Sequence, residues 1–508
     1  MAYHNDRRLI LLTGSVRYTI KVRQCRNQAC SAYKQPLRPE AEGALALPHS
    51  EYGLDVLALI GALRYQQHRS VPEIHAQLVE RGIEVSERTV TLLVHRYEEL
   101  LALRLMDAAH LRERLRARGQ VMLAIDGLQP DVGHEVLWVL RDVLSGEVLL
   151  ARALLGSGED QLVPLIQGVL LALGDGVAIL GVISDGQRSI RNAVQQALPG
   201  VPHQLCQFHF LREAARPIFE EDRHAKVQLK KNLRGIRKIE RRLEARPDRH
   251  ASILTAYCLA VRSALTDDGR PPLVASGLRL KERITQIEAS LEHVLEAQKG
   301  GMGKVDRELS TLHAHLQRAL WNDQPVWPKI EAAHRLVLHA AQVLANLGDD
   351  AAEMVEGQFE RVLQRMDQEA SRPGSLAEPL RHFLKVTQSY RPHLFATYRV
   401  PGLPRTNNDL EQFFGSARYH ERRITGRKSA SPSTVIRGSV RLVAAFGTRL
   451  RAPTPAELQP TCVAGWRSLR AQLDIRHEAR RQQLRFSRDP LTFLQHLETE
   501  YLKPDLPS

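Results

Sequence analysis

Residues 121–126 read VMLAID and residues 176–185 read GVAILGVISD. Each is an apolar run that ends on an aspartate, Asp126 or Asp185, with a glycine directly after it. Such runs read as buried strands. An acid at the C-terminal end of a buried strand stands at the sheet edge, where α/β folds build their sites. An aspartate before glycine is, taken singly, a common turn residue. Two of them after long apolar strands, with two strands and a helix between, predict acids on neighbouring central strands.

Working outward, HEVLWVLRD (134–142) and GEVLLARALL (146–155) are two further strands, joined around Leu144, Ser145 and Gly146 in a meander. A helix is predicted from Gln161 to Leu173 and another from about Gln187. LPGVPHQLCQFHF (198–210) reads as one more strand. The order βββαβαβ is a layered α/β arrangement. Upstream, RLILLTGSVRYTIKVRQ (8–24) reads as a hairpin around Thr13-Gly14-Ser15, followed by Cys25, Cys30 and a Pro-rich linker, Pro36 to Pro48.

Residues 51–116 change to a helical period. Leu54, Leu57, Ile60 and Leu63 mark one face, and a second helix begins near Val71-Pro72. Gly82 breaks it, and Ser86 is a natural N-cap for a third helix holding Val90, Leu93 and Tyr97. Helix, helix, glycine turn and capped helix is the pattern of a helix-turn-helix DNA reader, with Arg88 in the first turn of the reading helix. An ordinary three-helix packing unit is the alternative.

From about Phe210 to Phe395 the chain reads as almost pure helix. Leu229, Leu233, Ile236 and Leu243 form one stripe. Leu280, Ile284, Ile287, Leu291 and Val294 form another, predicted to turn at Gly300–Gly303 and return through Val305, Leu309, Leu312 and Leu316 as a coiled-coil-like hairpin. The basic stretch RHAKVQLKKNLRGIRKIERRLEAR (223–246) is predicted as the first helix. Its charges read either as a solvated face or as contacts to a nucleic-acid backbone.

At 508 residues the chain is too long for one core. A formal net charge of +14 suits a polyanionic partner, nucleic acid first among them. Five scattered cysteines are no secreted disulfide framework. No signal peptide and no apolar run of membrane-spanning length is evident, so a cytoplasmic, nucleoid-associated protein with no membrane partner is expected.

Transferring a DNA phosphodiester needs charge neutralised at the attacking and leaving oxygens, which two divalent ions ~4 Å apart provide. Hard ions such as Mg²⁺ want carboxylates, gathered from separate elements. The third acid is sought in RTNNDLEQFFGSARYHERRITGRKS (405–429). Thr406 or Asn407 can cap a helix there, with Glu411 in its first turns and Leu410 and Phe414 as core anchors. Arg418, Arg422, Arg423, Arg427 and Lys428 follow as candidate phosphate partners. A solvent-facing glutamate is the plainer alternative, and Asp409 is the competing acid.

Three segments together carry a resemblance: AIDG (124–127), SDG (184–186) followed by CQFH (206–209), and TNNDLEQFF (406–414) with the arginines after it. The chain resembles DDE transposases of bacterial insertion sequences, on the branch related to Mutator-like elements. The resemblance covers roughly 121–450. It implies an RNase H-like catalytic core interrupted by a long all-helical insertion. It further implies that Asp126, Asp185 and Glu411 hold two Mg²⁺ or Mn²⁺ ions for end cleavage and strand transfer. The implied partners are double-stranded DNA, as terminal inverted repeats and target, and further copies of the chain. Cys206 and His209 are carried over as a structural or site-supporting pair. Cys25 and Cys30 resemble half a zinc ribbon. Only His4 and His49 lie near, at unconvincing spacings, so zinc there is doubtful and a shortened start is expected.

The expected domains are 1–48, a zinc-ribbon-like remnant and linker; 49–116, the helix-turn-helix; 117–212 and 395–450, the two parts of the catalytic core; 213–394, the insertion; and 451–508, a helical tail. Removal of 1–116 is expected to spare the catalytic fold. The competing functions are a DNA-binding regulator that has lost catalysis and a nuclease of the same fold without strand transfer. A structural coiled coil fits only residues 220–370.

Overall fold

A computed structural model of the chain describes residues 2–129, 135–246, 248–267, 273–299, 306–322, 324–426, 432–460 and 462–503. Its fold is organised around the first quoted strand. Eight strands are present among these residues: β1 (Ala2–Leu11), β2 (Gly14–Gln24), β3 (Pro36–Leu37), β4 (Gln120–Leu128), β5 (Val136–Asp142), β6 (Val148–Leu154), β7 (Ala178–Ser184) and β8 (His203–Leu205). β4 lies at the centre of a mixed five-stranded sheet ordered β6-β5-β4-β7-β8, antiparallel to β5 and parallel to β7. β1, β2 and β3 form a separate antiparallel sheet.

The chain divides into two compact units: residues 1–203 with 407–508, and residues 204–406. The first holds α1 (Glu40–Leu45), α2 (Leu54–Tyr65), α3 (Val71–Glu80), α4 (Glu87–Leu105), α5 (Ala108–Arg116), α6 (Glu159–Leu173) and α7 (Arg188–Ala197). The second is all-helical apart from the end of β8: α8 (Gln207–Ala214), α9 (Arg216–Asn232), α10 (Ile236–Glu244), α11 (Arg249–Thr266), α12 (Ser276–Lys299), α13 (Arg307–Asn322), α14 (Trp327–Ala345), α15 (Ala352–Ala370) and α16 (Ala377–Tyr390). The first unit resumes with α17 (Asn408–Thr425), α18 (Pro432–Leu450), α19 (Val463–Arg488) and α20 (Pro490–Tyr501). The fold is thus mixed α/β and mainly helical.

Strand periodicity makes the first unit three layers deep. Val121, Leu123 and Ile125 of β4 share one apolar cluster with Leu111, Leu115, Ile166 and Ile190 from α5, α6 and α7. The alternate residues Ala124 and Leu128 join Phe413 and Phe414 of α17 and Val440 and Val443 of α18. Successive residues of a strand face opposite ways, so helices cover both sides. At the far end of β5, Asp142 is fully buried yet satisfied. It accepts from the backbone N–H groups of Met122 (2.9 Å) and Ser145 (2.9 Å), and Arg118 pairs with it at 3.2 Å. It is a structural acid.

The N-terminal helices follow the sequence reading. Leu54, Leu57, Ile60, Leu63, Val90, Leu93 and Tyr97 are buried together. Ser70 and Glu73 close a capping box on α3, Gly82 takes a positive φ of 76° after it, and the Ser86 hydroxyl accepts the Thr89 N–H to cap α4. These helices are not a detachable module. Glu98 and Glu99 of α4, each 1% exposed, meet arginines of α18: Arg437 at 2.8 and 3.2 Å and Arg441 at 3.2 Å from Glu98. Arg441 also pairs with Glu421 of α17 at 3.0 Å, and Trp466 of α19 donates to Glu99 at 3.0 Å. Deleting 1–116 would take both carboxylates from Arg437 and Glu98 from Arg441, and would uncover Ala444, Leu458 and Trp466, which are buried against these helices, so the rest is not expected to fold unharmed.

Four further expectations change. The stretch 36–48 is not a linker: it holds β3 and α1, and Glu42 is buried against Arg38 (2.6 Å) and Arg7 (3.2 Å). The strand expected over 198–210 is only β8, because the chain enters α8 at Gln207. The basic helix of 223–246 is two helices, broken at Gly235, whose φ of 114° suits glycine alone. The helical unit runs 204–406 rather than 213–394. Of the expected hairpin, the apolar faces of α12 and α13 pack together, whereas Gly300–Gly303 and Val305 lie outside the described residues.

Burial alone would raise the Glu98 carboxyl, but Arg441 and Arg437 hold it below the usual carboxylate range. A depressed folded-state pKa stabilises above the unfolded value and is lost as pH falls through the folded one. Glu98→Ala should therefore destabilise the protein at pH 7 by about 3–5 kcal/mol. Denaturant melts should show the difference shrinking below about pH 4.

Candidate functional site

Asp126 lies in β4 between Ala124 and Leu128, and so on the face that α17 and α18 cover. Asp185 directly follows β7. The parallel register pairs Ala124 with Ile183; carried two residues further, it sets Asp126 beside Asp185. Glu411 is in the first turn of α17, whose Leu410, Phe413 and Phe414 are buried against that same sheet face. The first unit thus sets Asp126 and Asp185 at adjoining strand ends, with Glu411 near enough for its charge to be felt at the Asp126 carboxyl.

The electrostatics register this crowding. Burial first, then the Asp185 carboxylate, pushes the Asp126 carboxyl up to about 7; Glu411 adds to the rise, while the Gly127 N–H (2.8 Å) and Arg418 oppose it. Asp185 accepts the Gln187 N–H at 3.0 Å. Behind it the buried Ser184 hydroxyl bonds the His203 ring at 2.8 Å, fixing the strand end.

Asn407 occupies the N-cap position of α17, but its side chain does not cap the helix. Buried, it donates from Nδ2 to the Ile125 carbonyl at 3.3 Å, tying the helix start to the strand one residue before Asp126. The sequence reading saw a cap, since asparagine serves both purposes equally well. Asp409 is largely exposed and paired with Arg141 of β5. Two residues from Glu411, it projects from a different side of the helix. Nothing in the sequence around Arg141 marks it as a partner.

Glu411, Arg418 and Arg422 fall at helical spacing along one stripe of α17. Arg418 donates to the Gln129 carbonyl at 3.3 Å, just past the end of β4. Arg418, Arg422 and Gln129 help line a cavity of about 780 Å³. On its wall His68 and His420 stack with ring centroids 3.4 Å apart. Burial, then the facing ring, hold His68 below its usual range, and burial with Arg423 does so for His420. Both effects favour the neutral rings. Arg88 is exposed in the first turn of α4, and Arg423 is exposed on α17. Arg427 and Lys428 lie outside the described residues.

Cys206 is buried at the start of α8 and His209 follows within its first turn, both in the helical unit. Cys25 and Cys30 are free thiols at the end of the N-terminal sheet. Among the described residues Cys25 and Cys30 belong to no group of three metal-ligating side chains, whereas Cys206 and His209 do.

Carboxylates from separate elements, one of them raised toward neutrality first by burial and then by its neighbours' charge, are groups of the kind that hard divalent cations prefer. No protein-family model and no curated protein matches the chain. Among the described residues no helix is long and apolar enough to cross a membrane.

A raised carboxyl binds more protons folded than unfolded between its two pKa values, so its cost grows as pH rises through about 7. Asp126→Asn should therefore stabilise the metal-free protein at pH 8 by about 1–2 kcal/mol, discounted for partial solvent access, with almost no effect at pH 4. Thermal melts in chelator at both pH values measure this. A destabilised variant at pH 8 would contradict the crowding.

Proposed function

We propose that the chain is a DNA transposase of the DDE type, with an RNase H-like core interrupted by an all-helical insertion. The observation that carries this reading is the meeting of Asp126, Asp185 and Glu411 beside an arginine-bearing helix. Two Mg²⁺ or Mn²⁺ ions bound there would neutralise the attacking and leaving oxygens of an in-line phosphodiester displacement.

The chain's own residues have separate tasks. Asp126 and Asp185, on rigid strand ends, bind and orient; Glu411 closes the set from α17. The raised Asp126 carboxyl gives up its proton on binding, so cation affinity should fall as pH drops below about 7. Arg418, Arg422 and Arg423 pair with DNA phosphates and fix its register without reading its sequence. Arg88, at the capped start of α4, would face base edges in the terminal repeats. The work would take place on double-stranded DNA, between copies of the chain, in the bacterial cytoplasm at the nucleoid.

A catalytically inactive regulator of the same descent would be expected to lack one of the acids, and all three are present. A nuclease without strand transfer differs only in its products. The test uses linear duplexes carrying the element's ends, Mg²⁺ and the full chain. Cleaved and joined products are expected, and nicks alone would favour the nuclease.

Asp126→Asn, Asp185→Asn and Glu411→Gln should each lower cleavage by ~10³-fold or more while DNA binding persists. Asp409→Asn should stay within several-fold of the parent. A Glu411→Gln variant cutting at the parent rate would remove that residue from the site. Removing Arg422 should reduce the slope of log affinity against log salt by about 1.

A further inference from the structure

In the helical unit, α12 and α13 pack through Leu291 and Leu295 on one side and Leu309, Leu312 and Leu316 on the other, all buried. Between these layers the two helices bring three polar side chains to one point. Glu288 and Glu292 stand one turn apart on α12, at the i, i+4 spacing that shares a face. His313 of α13 points at them. One ligand atom from each lies within 4.8 Å of the other two.

His313 is 8% exposed, and its Nε2 is 3.0 Å from a Glu288 carboxylate oxygen. That nitrogen nevertheless makes no aligned hydrogen bond. A buried ring nitrogen so placed is costly. Its lone pair would face negative oxygens, and its N–H would be misdirected. No lysine or arginine forms an ion pair with Glu288 or Glu292 among the described residues. The packed leucines fix the separation of the helices and so keep His313 facing Glu288.

A divalent cation between the three groups resolves all of this. It accepts the imidazole lone pair, and two carboxylates balance its charge. One nitrogen and two carboxylate oxygens, with water in the remaining position, are a donor set for a first-row transition ion such as Zn²⁺. Mg²⁺ prefers oxygen ligands throughout. We infer that Glu288, Glu292 and His313 form a transition-metal site that clamps α12 to α13. The inference is independent of the proposed catalytic activity and of the acids at β4.

The test strips the full chain of metal and titrates it with Zn²⁺ against a chromophoric competitor, with Co²⁺ absorption as a second readout. The parent should bind one Zn²⁺ more than His313→Ala, and Zn²⁺ should raise its melting temperature more than the variant's. Glu292 is exposed, so Glu292→Gln should fold normally and still weaken that site at least tenfold. Asp126→Asn and Cys25→Ser should leave it unchanged. Millimolar Mg²⁺ should not displace the ion. Parent stoichiometry and affinity in both His313→Ala and Glu292→Gln would overturn the assignment, as would displacement by Mg²⁺.

Discussion

Like charges do not gather unless something holds them, and the first unit of this protein holds three. The apolar face of β4 and α17 supplies the grip: Ala124 and Leu128 from the strand meet Leu410, Phe413 and Phe414 from the helix. Asn407 adds a polar pin to the Ile125 carbonyl. Parallel pairing with β7 brings in Asp185. Burial first, and then the charge of Asp185, push the Asp126 carboxyl up to about 7.

A second buried constraint connects the N-terminal helices to this arrangement. Glu98 and Glu99 of α4 are matched by Arg437 and Arg441 of α18, and Arg441 reaches on to Glu421 of α17. Charges this deep are tolerated only because each is paired. The helix carrying Glu411 therefore shares an ionic network with the helices proposed to read DNA. Disturbance at one has a direct physical route to the other.

Much of this was legible in the residues. Apolar runs ending in Asp-Gly announced β4 and β7, and periodicity with Ser86 and Gly82 announced α4 and the turn before it. What stayed hidden depends on pairings between distant residues. Asn407 read as a cap because local sequence cannot say that a strand carbonyl will lie within reach. Nothing local marks Glu98 and Glu99 as buried, because their partners sit more than three hundred positions away. Residues 198–210 read as one strand because Gln-Phe-His-Phe carries no helix signal until its tertiary packing is known. Gly235 was passed over inside an otherwise continuous helical pattern.

The convergence of Asp126, Asp185 and Glu411 can be examined without assuming any activity. Fe²⁺ bound in place of the native ion, with ascorbate and peroxide, cuts the polypeptide next to its ligands. The account predicts cuts near residues 126, 185 and 411 together, all suppressed by Mg²⁺ and all lost in Asp126→Asn. Cuts near one or two of these positions only, or cuts at all three that persist in Asp126→Asn, would contradict it.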